Sequence, residues 1–228
     1  MREPTVASLM TREVITADVG SSFKDVVKLL EDNAISAVPV LDGGYPVGVV
    51  SESDLLPKEE FRGGTEEAPG VFAGRAVKHR WEQASGLTAQ DVMTSPVKTV
   101  QPDTAASAAA RELATEGLRR LFVMDTDGAL VGVLSRRDLL KLFLREDDEL
   151  RTEIRDEILG RMLWVDPDTI DVEVSDGVVT MQGPLERQSE AEIAEHLVRA
   201  LPGVVDVHNE LQAEWNDTTH PRQTEIFG

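Results

Sequence analysis

Val47-Gly48-Val49-Val50-Ser51-Glu52-Ser53-Asp54-Leu55-Leu56 returns as Val131-Gly132-Val133-Leu134-Ser135-Arg136-Arg137-Asp138-Leu139-Leu140, with seven of the ten positions identical. Self-similarity of this kind means that one supersecondary unit has been used twice. Outward from the match, Val6 to Leu56 lies over Gln90 to Leu140 at an offset of 83 residues, which becomes 84 after a one-residue difference in a hairpin; Met10-Thr11 falls on Met93-Thr94 and Thr16 on Thr99.

Each copy carries the same order of local signals. A short strand (Val14 to Thr16; Lys98 to Val100) precedes a helix capped by Ser21 or Ser22 in the first copy and Thr104 in the second, with Phe23, Val26, Val27 and Leu30 spaced along one buried face. Two strands follow, Ala37 to Leu41 and Val47 to Ser51, joined by Asp42-Gly43-Gly44-Tyr45-Pro46; the second copy turns at Asp125-Thr126-Asp127-Gly128. A last helix starts near Asp54 or Asp138. The unit is β-α-β-β-α.

That order, ending in Gly, two apolar residues, Ser, two variable residues and Asp, resembles the CBS domain, whose tandem pairs pack as a pseudo-twofold module. Ser51 with Asp54 and Ser135 with Asp138 have a purely structural reading as capping boxes, in which serine accepts a helix-start N–H and the acid returns the contact. The same geometry suits a ligand, since a carboxylate accepts hydroxyls and a helix start attracts phosphate. The two readings are compatible. In CBS pairs the serine is associated with phosphate, the aspartate with ribose, and the second strand and the threonine before the first helix with the base. The resemblance implicates Thr16, Val38, Pro39, Ser51 and Asp54 in one site, and Thr99, Leu121, Phe122, Ser135 and Asp138 in the other.

The charges between serine and aspartate differ: Glu52 and Ser53 in the first copy, Arg136 and Arg137 in the second, where Arg119-Arg120 also precede the strand. Opposite charges near a surface attract by a few kcal/mol at ~4 Å before desolvation, so the second copy is the expected phosphate site. The bland alternative pairs these arginines with the chain's many acids.

Residues Pro57 to Gly74 hold Lys58-Glu59-Glu60, Arg62-Gly63-Gly64, Glu66-Glu67 and Pro69-Gly70, the composition of a mobile insertion. Arg75 to Ser85 reads as a helix with Val77, Trp81 and Ala84 on one side; Arg75, Lys78, His79 and Arg80 make it a partner-facing or solvated helix in preference to a nucleic-acid patch.

Beyond Phe143 an acidic stretch leads to apolar positions Ile154, Ile158, Leu159 and Met162 at helical spacing. Ile170, Val172 and Val174 alternate with polar residues, Asp176-Gly177 is a hairpin signal, and Val178 to Gly183 returns. A helix with Ile193, Ala194, Leu197, Val198 and Leu201 inward ends at Pro202-Gly203, and Val204 to Leu211 supplies a third strand. This α-β-β-α-β segment resembles the BON domain through Val174 to Gly183, Leu201 to Val207 and Asn209. Membrane association is the role usually proposed for that family, but Arg151 to Glu214 has 5 arginines, no lysine and 15 acidic residues. Anionic lipid is repelled by such a surface, which favours a protein partner.

The expected fold class is therefore α/β and α+β: two β-α-β-β-α repeats as a pseudo-twofold module and a small α-β-β-α-β domain. The expected division is 1–56 first repeat, 57–86 insertion and short helix, 87–146 second repeat, 147–214 BON domain and 215–228 tail. No cysteine stands in the 228 residues, which removes disulfides and thiolate chemistry, and 42 acidic against 23 basic residues give a net charge of −19 that disfavours nucleic acid. No signal-like or membrane-spanning apolar run stands in the sequence, so the expected location is the cytoplasm. His79, His196, His208 and His220 are scattered without a metal-binding spacing, and no phosphate-binding glycine loop or nucleophile motif occurs. The expectation is a non-catalytic regulator without cofactor or metal. It takes an adenine nucleotide (AMP, ADP, ATP or S-adenosylmethionine) as regulatory ligand, forms a homodimer as the resemblance implies, and relays occupancy to an unidentified protein. The alternatives are a ligand-free dimerising adaptor and peripheral membrane attachment through the BON domain.

Overall fold

A computed structural model describes residues 3–62 and 74–218. Most of the glycine- and glutamate-rich part of the insertion, with Glu66, Glu67, Pro69 and Gly70, and the tail with His220 lie outside the described residues. Backbone contacts divide the chain into one unit from Pro4 to Leu139 and a second from Leu140 onward.

The first unit opens with α1 (Val6–Leu9), then β1 (Ala17–Asp18), α2 (Phe23–Asp32), β2 (Ala37–Asp42), β3 (Tyr45–Ser51) and α3 (Glu52–Leu55). The insertion supplies α4 (Pro57–Glu60) and α5 (Arg75–Ser85). The second copy follows as α6 (Ala89–Val92), β4 (Thr99–Val100), α7 (Ala106–Thr115), β5 (Arg120–Met124), β6 (Leu130–Ser135) and α8 (Arg136–Leu140). Each copy forms a three-stranded sheet, ordered β1-β2-β3 and β4-β5-β6, in which the first strand pairs parallel and the hairpin antiparallel. The β-α-β-β-α unit is thus present twice.

The two copies exchange their leading segments. Val6 and Met10 pack with Val100, Leu113, Leu121, Val123 and Leu134 of the second copy, while Ala89 and Val92 pack with Val26, Val38, Val40 and Val50 of the first. Backbone bonds follow the same exchange: Val6 N–H donates to Thr104 O (2.8 Å), Thr11 and Val133 pair, Ala89 N–H donates to Ser21 O (2.8 Å), and Thr94 pairs with Val49. Gly48 and Gly132 exist because of it. A Cβ on Gly48 would lie 2.3 Å from Met93 Sδ, and one on Gly132 would lie 2.5 Å from Met10 Sδ.

The exchange accounts for the first two of three departures from the sequence expectations. Thr11 and Thr94 pair with the other copy, and the opening strands run only over Ala17–Asp18 and Thr99–Val100 instead of from Val14 and Lys98. Thr104 gives its carbonyl to Val6, and the helix it was expected to cap starts after Ala105; Ser22 does cap α2, accepting from Asp25 N–H at 3.2 Å. Of the expected face of α2, Val26 and Leu30 are buried but Val27 is 41% exposed.

The second unit contains a 3-10 turn at Lys141–Leu144, α9 (Asp147–Glu153), a π-helical stretch Ile154–Met162, β7 (Asp171–Ser175), β8 (Val178–Arg187), α10 (Gln188–Arg199) and β9 (Asp206–Trp215). The sheet order is β7-β8-β9, with β7 and β8 antiparallel and β9 parallel to β8 across α10. Asp176 (φ 51°) and Gly177 (φ 74°) make the expected hairpin, and both their N–H groups donate to Asp147 at 2.8 and 2.9 Å. Ile154, Ile158 and Leu159 join Val172, Val179, Met181, Ala194, Val198 and Leu201 in one core. The wider π turns rotate Met162 off that face, leaving it exposed. Ile193 is likewise exposed, and Ala191 takes the inward position on α10.

Candidate functional site

Both serine–aspartate pairs are formed. Ser51 N–H and Oγ donate to Asp54 Oδ2 at 2.8 and 2.5 Å, and Ser135 N–H and Oγ donate to Asp138 Oδ2 at 2.9 and 2.6 Å. The first closes a capping box on α3, and in the second Asp138 N–H returns to Ser135 Oγ at 3.3 Å. The structural role read from the sequence is therefore real, and the surroundings of the two pairs decide what else each does.

Asp138, 6% exposed, lines a cavity of about 320 Å³ built from both copies. The first copy contributes Thr11, Glu13, Val14 and Ile15 from its exchanged segment, residues 34–37 before and at the start of β2, and Pro39; the second contributes Arg120, Phe122, Val133, Ser135, Arg137 and Asp138. This size lies at the lower end of ligand pockets, which run from ~300 to ~1,000 Å³. Apolar Val14, Ile15, Pro39 and Phe122 offer a planar group something to lie against, while carboxylate and guanidinium groups occupy the same enclosure.

Arg120 ties the two copies together. Its guanidinium donates to Ser36 Oγ at 2.9 Å and to Ala37 O at 3.2 Å. Burial, reinforced by Arg119 and opposed by Glu52, lowers its pKa below the ordinary arginine value, yet a guanidinium so perturbed stays charged. Arg137 lines the cavity. Arg136 does not: its Nε–H donates to Leu118 O at 2.7 Å and its terminal nitrogen reaches Leu113 O at 3.5 Å, so it satisfies one carbonyl in the last turns of α7 and one in the loop that follows.

The structure thus brings Phe122, Ser135, Arg137 and Asp138 together and adds Pro39, which the sequence reading had grouped with Asp54. Val38 and Leu121 are fully buried in the two cores and do not line this cavity. Thr16 and Thr99 do not line it. Thr11 and the 13–15 and 34–37 segments were missed, although the Met-Thr repeat at 10–11 and 93–94 marked the first of them.

The Asp54 pair has different neighbours. Asp54 Oδ1 accepts Thr94 Oγ1 at 3.0 Å and Gln83 Nε2 at 3.1 Å. Gln83, 3% exposed, also donates to Val92 O at 2.8 Å, so the inward side of α5 is set by a glutamine and Val77 is exposed. Lys58 holds the end of α5, donating to Ala84 O at 3.1 Å and Gly86 O at 2.6 Å with its ammonium 4.9 Å from the Phe23 ring. A larger groove of about 730 Å³ over Phe23, Val27, Leu30, Leu55 and Leu56 contains neither pair; its charged residues are Glu31, Glu52, Glu59 and Lys58, a poor match to an anion. Among the described residues no group of His, Asp and Glu could hold a metal ion, and no helix is long and apolar enough to cross a membrane.

Comparison with known proteins places this geometry. The CBS domain model matches residues 6–58 and 89–145, and the BON domain model matches 146–214. The chain is 30% identical over 153 residues to the uncharacterized protein MJ1426 of Methanocaldococcus jannaschii, covering 61% of this chain and 90% of that one. It is 29% identical over 154 residues to the chloroplastic CBS domain-containing protein CBSX2 of Arabidopsis thaliana, covering 62% of this chain and 64% of that protein. A crystal structure of CBSX2 in complex with AMP superposes with a TM-score of 0.53 at 31% identity, over 61% of this chain and 96% of that one. The chain spans under two thirds of the length of several curated relatives it matches, 64% for MK0525 of Methanopyrus kandleri and 32% for MJ1404 of Methanocaldococcus jannaschii. Duplicated β-α-β-β-α units, exchanged leading segments and these matches together show that the chain belongs to the CBS domain family, carrying a CBS pair followed by a BON domain.

Proposed function

We propose that the CBS pair senses an adenine nucleotide, bound in the cavity between the copies, and that occupancy is relayed to a partner. The observation that carries this reading is the cavity itself, where an aspartate, a glutamate, two arginines and an apolar wall drawn from both copies enclose a space the size of a mononucleotide. Asp138 is the acceptor for ribose hydroxyls, Arg137 and Arg120 are the cations for phosphate, and Ile15, Pro39 and Phe122 flank the base. The crystal structure of CBSX2 in complex with AMP supports AMP as the first ligand to try.

A ligand there touches the exchanged segment 11–15 of one copy and β5, β6 and α8 of the other. Binding therefore favours whichever arrangement of the copies closes that contact, and only such a difference in affinity can shift a conformation. Homodimerisation and the relay through the BON domain belong to the same proposal. That domain's excess of carboxylates supports a protein partner over an anionic membrane.

Calorimetry with AMP, ADP, ATP and S-adenosylmethionine on the full chain tests it. At least one should bind, Asp138→Ala should abolish binding, and Arg137→Ala should weaken a phosphate-bearing ligand by about 10- to 150-fold while leaving adenosine little changed, since a charge-assisted hydrogen bond contributes roughly 1.5–3 kcal/mol. No heat from any of the four at millimolar concentration sinks the reading and leaves the ligand-free adaptor.

A further inference from the structure

Donors from the chain itself surround the first-copy aspartate. Asp54 accepts four hydrogen bonds, from Ser51 N–H (2.8 Å), Ser51 Oγ (2.5 Å), Thr94 Oγ1 (3.0 Å) and Gln83 Nε2 (3.1 Å). An ionised carboxylate has about four lone-pair positions, so every one is taken by this chain. The fourth donor comes from the insertion between the copies. Gln83 is 3% exposed and spends its amide N–H groups on Asp54 and on Val92 O. Helix α5 that carries it is fastened at its end by Lys58 through Ala84 O and Gly86 O, and along its length by an ion pair of Arg80 with Glu60.

We propose that α5 is a built-in occupant of the first-copy site: Gln83 takes the Asp54 position a ligand hydroxyl would otherwise use, so the module binds one nucleotide per chain, at Asp138, until α5 is released. This rests on the nucleotide reading above. The burial argues for it independently, because a buried amide must find partners, and a helix read from the sequence as partner-facing or solvated has turned a glutamine inward to meet a carboxylate. The insertion thereby acquires a purpose: whatever binds or displaces α5 controls access to a second nucleotide.

Calorimetric titration of the full chain with AMP, with folding checked by circular dichroism, reads the stoichiometry. Wild type should take one AMP per chain, lost in Asp138→Ala; Gln83→Ala should take two, the added one lost when Asp54→Ala is combined with it. Lys58→Ala, which loosens α5 without touching Asp54, should move in the same direction and carries the test if Gln83→Ala fails to fold. Two AMP per wild-type chain with one lost in Asp54→Ala overturns the proposal, as do folded Gln83→Ala and Lys58→Ala chains that still bind one. If wild type binds none, the Asp138 reading fails by itself. The occupant then stands if Gln83→Ala binds one AMP through Asp54 and falls if it binds none.

Discussion

Exchange of the leading segments predicts a coupling across the copies that a double-mutant cycle measures. In Gly48→Ala the new Cβ lies 2.3, 2.7 and 3.0 Å from Sδ, Cγ and Cβ of Met93, against an ordinary carbon contact of ~3.5–4.0 Å. Met93 is flexible, so it moves instead of fracturing the strand, at the usual overpacking cost of about 1–3 kcal/mol. Removing a glycine from a strand returns about 0.4–1 kcal/mol through the unfolded chain, leaving a net loss of roughly 0.5–2 kcal/mol. Met93→Ala removes a partly buried side chain. Its loss is about half the 2–5 kcal/mol of a fully buried methionine, roughly 1–2.5 kcal/mol. With both changes, the Sδ and Cγ that collide with the new methyl are gone, and the methyl fills part of the vacated space. The double variant should therefore lose at least about 1 kcal/mol less than the sum of the singles. Urea unfolding gives the comparison, with the slope unchanged as evidence that the same surface is exposed. Losses that add within ~0.5 kcal/mol refute the packing of the second copy's leading segment into the first.

Two further outcomes follow from local geometry. Asp91 accepts Leu87 N–H, Thr88 N–H and Thr88 Oγ1, each at 2.9 Å, and these bonds, the Leu87 one foremost, lower its pKa from 3.8. Its contribution is present above pH 3.8 and is lost as pH falls through the lower folded value. Asp91→Asn should accordingly destabilise the chain at pH 6, and the gap from wild type should narrow below pH 3.8, read by urea midpoints across that range. Gly177 sits at φ 74°, where a Cβ would also meet Gly203 O and Val205 Cγ2 at 2.9 Å, so Gly177→Ala should destabilise the second unit by at least about 1–2 kcal/mol in calorimetric melting.

What the sequence made legible was whatever depends on neighbours a few residues away. The duplication, the strand–helix order, the Asp176-Gly177 turn, the bounds of α5 at Arg75–Ser85 and the serine–aspartate caps all have local causes. The exchange was illegible because Val6 and Ala89 stand at equivalent places in the repeat, and either core satisfies an apolar residue at that spacing. Everything that follows from the exchange was hidden with it, including the mixed walls of the cavity and the grouping of Pro39 with Asp138. Direction along a helix start separates the members of the arginine pair: Arg137 lines the cavity, and Arg136 turns back to Leu113 O in α7 and Leu118 O beyond it. Gln83 gave no warning, since a lone glutamine among charged residues reads as solvated surface until a carboxylate is found against it.

The most direct test of the account is a crystal structure of the full chain grown with AMP. The account predicts one nucleotide per chain in the cavity between the copies, with its ribose hydroxyls on Asp138, its phosphate against Arg137 or Arg120, and Gln83 still on Asp54. A nucleotide seated at Asp54 with the Asp138 cavity empty, or none in either place at saturating AMP, would contradict it.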